Sequence, residues 1–233
     1  MNKLLDAQLI RINELISELE TEYDKCLDKK DVSDKAKVVT HEVIEKISNV
    51  LDQTARKIWE KFIAVNLTDT DKKKSIIYFP KSKDTHSFDS VIGRWMINNL
   101  EKNYPNIHNF LLSKQPFTNE GNKWLEIVGV LASQKHIGLI PQKREEITHI
   151  KISSQAGTVH LISEHVRFGA RVSILGAPVD PNTQRIIPTP GVEEKIEKWV
   201  SFVLEGYDLD ALGFCKDSYN KLKIVVSEAD SLN

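Results

Sequence analysis

The chain has 233 residues, 40% of them hydrophobic and 28% charged, and its 32 basic and 33 acidic residues leave a formal net charge of −1. This is the composition of a globular protein with one large domain or two small ones, and so even a balance excludes a global electrostatic pull towards nucleic acid or membrane. Two distant cysteines, Cys26 and Cys215, argue against a disulfide framework or a structural zinc site.

Residues 3–29 read as a long amphipathic helix. Leu5, Leu9, Ile12, Ile16, Leu19, Tyr23 and Cys26 are spaced as a heptad seam. The run is short for an independent coiled coil, so an antiparallel helix packed within its own domain is preferred to a dimer seam. Charges interrupt this N-terminal stretch too often for a signal core, and no stretch approaches the ~18 apolar residues of a membrane span. A cytoplasmic protein with no membrane partner is expected. A polar turn at 28–34 leads to a second helix over 35–65, capped by Ser33 or Asp34. Its stripe holds Ile44, Ile47, Leu51, Ile58 and Phe62. The two helices form an antiparallel hairpin.

Ile76 to Phe79, closed by Pro80, is a short strand or extended segment. Residues 81–89 read as loop and Ser90–Asn103 as a helix with Val91, Ile92, Trp95, Met96 and Leu100 inward. A shorter helix follows at Pro105–Ser113. After a loop, residues 122–137 form an apolar helix that runs into Ser133-Gln134-Lys135-His136 and stops at Gly138 and Pro141. Beyond Pro141 the pattern changes to strand-like alternation at Ile147, His149–Ile152, Thr158–Ile162 and Arg171–Leu175. Residues 178–183 read as a turn. Residues 192–204 are ambiguous, with a helical first half and a strand-like second half. Asp208–Asp230 closes the chain as a helix.

Four short motifs occur in a telling order. Asn49-Val-Leu-Asp52 lies on the second helix, followed by Ile76-Ile-Tyr-Phe-Pro80. Gln115-Pro116 then precedes a helix that ends Gln134-Lys135-His136-x-x-Leu139-Ile-Pro141. This order resembles a group of uncharacterised bacterial proteins with L-D, F-P and D-K-H-R motifs, a β-rich tail and a final helix. The group is similar to the HEPN class of helical domains, found in toxins and defence systems. The resemblance covers most of the chain by motif order. The acid and the arginine of D-K-H-R are Gln134 and Ile137 here, and neither Arg56 nor Arg94 opens the arginine-to-histidine motif of HEPN ribonucleases.

The expected architecture is α+β: a HEPN-like helical bundle with a long N-terminal hairpin over 1–143, then a small antiparallel sheet backed by a C-terminal helix over 144–233. Lys135 and His136 are the candidate catalytic pair, because a histidine can shuttle a proton and a lysine can stabilise a phosphate in transition. Asp52 and Gln134 are the candidate binding residues. The competing reading makes His136 a structural partner of Asp52 and Lys135 a helix cap. His149, His160 and His165 read as ordinary sheet residues, and Trp199 as core. No metal and no cofactor is expected. The expected function is a non-enzymatic interaction or scaffold protein, in a homo-oligomer or with a partner protein. The alternative is a metal-independent ribonuclease that uses Lys135 and His136, with RNA as partner.

Overall fold

The seam residues of the first helix pack inside the chain itself: from Leu5 to Cys26 none of the seven is more than 8% exposed. They lie along α1 (Lys3–Asp24) and the turn that follows it. The structure, a computed structural model, describes residues 3–27, 29, 31–97, 99–133, 140–162 and 167–232. Helix α2 (Asp34–Ile58) is started by Ser33, whose hydroxyl accepts the Ala36 N–H at 3.1 Å. It buries Val39, Val43, Ile44, Ile47, Val50 and Leu51, in the hairpin arrangement expected of α1 and α2. The heptad seam is thus spent on the chain's own helices. After Ile58 the coil widens into a π-helical turn over Trp59–Ile63, then tightens at Ala64–Asn66.

The chain divides into two units. One is helical and comprises Met1–Gln142 and Leu204–Asn233; the other, Lys143–Val203, is built of strands. The helical unit continues with α3 (Asp69–Lys74), α4 (Thr85–Gly93), α5 (Leu100–Asn103), α6 (Pro105–Ser113) and α7 (Lys123–Ser133). The helix expected over 90–103 is two helices. Asp84 starts α4 early through a capping box with Ser87, and left-handed backbone at Met96 and Asn99 breaks the run. Trp95 is fully buried as expected, whereas Met96, expected inward, is 37% exposed.

The expected fold needs correction at its C-terminal end. Helix α8 (Ala211–Asp230), expected to group with the sheet, packs on α1, α2 and α7 and belongs to the helical unit. Its Leu222, Val225 and Val226 are buried, and ion pairs join Lys57 to Asp230 and Lys216 to Glu20. The apolar stripe of a helix does not reveal which neighbour covers it. Cys215 lies on the buried face of α8, where burial pushes its thiol up to about 12 and keeps it protonated.

The sheet is also larger than expected. Strands β1 (Gln142–Ser154), β2 (Gly157–Ile162), β6 (Val192–Leu204) and β7 (Leu209–Asp210) form a curled antiparallel sheet in the order β2-β1-β6-β7. Strands β3 (Ser173–Ile174), β4 (Ala177–Asp180) and β5 (Arg185–Ile186) form a second, three-stranded ribbon. Leu175 and Gly176, both at positive φ, make the two-residue turn between β3 and β4. The turn expected at 178–183 begins only after β4. Residues 192–204 are strand throughout, although their glutamates and lysines favour helix. Ladder pairing and the burial of alternate residues override that local preference. The core of this unit is Ile150, Ile152, Ala177, Val179 and Ile186, with Val192 and Ile196 packed against it.

Candidate functional site

The segment Ile76–Ser82 is held extended without joining a sheet. Pro80 disfavours helix for Phe79, and two consecutive isoleucines also prefer extended backbone. Alternate side chains therefore face opposite ways. Ile77 and Phe79 are 5% and 2% exposed, whereas Ile76 and Tyr78 are 49% and 52% exposed.

A segment outside a sheet must find other partners for its main-chain polar groups, and here they come from three parts of the helical unit. The Ile76 N–H donates to the Arg94 carbonyl at 2.9 Å. The indole N–H of Trp95 donates to the Tyr78 carbonyl at 3.2 Å, and the carbonyl of Trp95 accepts the Trp59 indole N–H at 3.0 Å. The Phe79 N–H donates to Asp52 Oδ1 at 2.9 Å. The Ser82 N–H donates to Gln115 Oε1 at 3.0 Å, while Gln115 Nε2 donates to the Leu111 carbonyl at 2.8 Å. Gln115 is fully buried, so it satisfies both the strip and the end of α6.

Asp52 Oδ1 also accepts from Lys81 Nζ at 2.7 Å, with the two side chains 23% and 13% exposed. The lysine reaches Asp52 by lying across α7 at Gly129. A Cβ on that glycine would stand 3.1 Å from Lys81 Cβ and 3.2 Å from its Cδ. Three of the sequence motifs thus converge. The aspartate of the L-D motif and the glutamine of the Q-P motif grip the F-P segment from two sides.

Beside Asp52 and Tyr78 lies an open cleft of about 330 Å³. Gln8, Lys46, Asn49, Gln53 and Arg56 line it, which makes it polar and mainly cationic. The Gln8 side-chain oxygen is buried there without a hydrogen-bond partner among the described residues. Arg56 makes one loose ion pair with exposed Glu60, at 3.8 Å.

Of the residues singled out from sequence, Asp52 is in this cluster. Gln134, Lys135 and His136 lie outside the described residues, as does any bond between His136 and Asp52. The partners of Asp52 in the structure are Phe79 and Lys81. His149 stacks on Trp199, His160 is exposed on β2, and His165 lies outside the described residues. Trp199, expected in the core, is 58% exposed. Lys81, Gln115 and Trp95 were not recognised as site residues. Their only signal was adjacency, Lys81 following the F-P pair directly and Gln115 opening the Q-P pair. Among the described residues no group of three or more histidines, cysteines or carboxylates is placed to hold a metal ion. None of the described helices is long and apolar enough to cross a membrane. No known protein family matches the chain, and no curated protein or solved structure matches it.

Proposed function

We propose that the protein is a non-enzymatic interaction protein that works as a homo-oligomer or with a partner protein in the cytoplasm. The observation that supports this reading most is the use made of Asp52. Its Oδ1 takes both the Phe79 N–H and the Lys81 ammonium, and the effect is to fix a strip that presents Ile76 and Tyr78 outward. A pre-ordered strip with an exposed aromatic beside a polar cleft suits protein recognition, since little ordering entropy is left to lose on binding. A role in bacterial defence or a toxin–antitoxin system rests on the motif resemblance alone. So does kinship with the HEPN class.

Light scattering together with affinity capture tests the reading. The expected result is a stable oligomer or a co-purifying partner, with either weakened at least roughly tenfold by Tyr78→Ala, as befits an aromatic anchor. A monomer at micromolar concentration with no partner would overturn it. The ribonuclease alternative is tested on the same preparation. RNA cleavage that His136→Ala abolishes, at an unchanged thermal midpoint, would replace the interaction reading with the enzyme.

A further inference from the structure

The outward face of the strand unit carries a feature that the strip and its cleft do not use. Ile150 and Ile152 of β1 point into the core, so His149 and Lys151 stand on the other side of the sheet. Lys151 is paired in register with His160 of β2, and both are exposed. On β6 the residues Val192 and Ile196 face the core, and Trp199 stands outward. Its ring stacks on His149 with centroids 4.0 Å apart and planes inclined by 29°. One face of the indole is covered by the imidazole, yet the side chain remains 58% exposed.

We propose that this face binds single-stranded nucleic acid, with a base continuing the His149–Trp199 stack. The uncovered face of the indole leaves apolar surface in water, and a flat ring already stacked on one side invites a second flat ring on the other. Lys151 and His160, side by side across the β1–β2 ladder, stand where the phosphates of such a strand would pass. The acid nearest the stack, Glu197, is held by Lys195 at 2.6 Å and accepts the Trp199 indole N–H at 3.4 Å, so it does not repel the strand as a free carboxylate would. Glu193 stands further along β6 from the stack. With few cations on this face, stacking supplies most of the affinity and the salt dependence is shallow. Duplex is excluded because its bases are already stacked. The inference goes beyond the interaction reading and does not depend on it.

The tryptophan complement makes the test direct. Trp59, Trp95 and Trp124 are 6%, 0% and 5% exposed, so collisional quenching by acrylamide reports on Trp199. Titration of the full chain with oligothymidylate or oligouridylate of about 12 nucleotides should quench the Trp199 emission and shield it from acrylamide, with little effect from duplex of equal length. Trp199→Ala should weaken binding of the labelled strand roughly tenfold and Trp199→Phe much less. An emission that single strands leave unchanged would overturn the proposal, and this readout needs no variant. So would wild-type affinity in Trp199→Ala. Loss of strand binding with protein capture intact would remove this inference and leave the interaction reading standing. The thymidylate arm, which a ribonuclease cannot consume, separates binding from cleavage.

Discussion

Trp95 of the helical unit and Trp199 of the strand unit are the same residue in opposite circumstances. Trp95 is fully buried, and its indole N–H and its own carbonyl knit the 76–82 strip to the π-helical turn after α2. Trp199 leads an apolar run, Trp-Val-Ser-Phe-Val-Leu, yet it faces water. The contrast teaches that neighbours in sequence do not decide burial on a strand. The parity of the position does, and parity is fixed only once a partner strand sets the register.

Substitutions can break this contrast. The largest effect is expected for Trp95→Ala, which should cost about 3–5 kcal/mol in urea unfolding, since it empties a core position and leaves the Tyr78 carbonyl without its indole donor. Asp52→Ala follows at roughly 2–3 kcal/mol. It strands the Phe79 N–H and a largely covered ammonium, whereas Asp52→Asn retains an acceptor for Phe79 and should cost less. Gly129→Ala should change stability by less than about 1 kcal/mol, because the shift of a few tenths of an ångström forced on the Lys81 stem is offset by alanine's preference for the helix interior.

A smaller, pH-dependent effect separates ion pairs from core packing. Glu22, bonded to Lys25 and Lys35, and Glu146, bonded to Lys198 and Arg144, both have their carboxyls held below the usual glutamate value by those cations. A depressed carboxyl stabilises the fold above its unfolded value, and that contribution disappears as pH falls through the folded one. Stability should therefore decline through the acid range. Glu22→Gln, with Glu146→Gln, should flatten that decline in thermal melts at stepped pH. The smallest effect is expected for Trp199→Ala, whose unfolding free energy should stay within about 0.5 kcal/mol of wild type. A cost as large as that of Trp95→Ala would show that the two tryptophans do the same job.

Much of the helical hairpin was legible in sequence because the 3.6-residue period of α1 and α2 is long and regular, and Ser33 marks a start that the structure uses. Pro105 likewise fixes the start of α6. The destination of α8 was illegible, since its stripe is equally apt for a sheet or for a bundle. The identity of β6 was hidden by its helix-forming glutamates and lysines. In the candidate site, Asp52 was legible from its motif, but its purpose was not. The groups that it satisfies are a main-chain N–H, which sequence never displays, and a lysine whose stem lies against Gly129 of α7. Gln134, Lys135 and His136 keep the standing that the sequence gives them.

Hydrogen exchange at the Phe79 amide tests most directly whether Asp52 serves to order the recognition strip. The account predicts that Asp52→Ala lowers protection at Phe79 by roughly tenfold or more relative to the buried amides of α2, with Asp52→Asn in between. Equal protection at Phe79 in wild type and Asp52→Ala would contradict it.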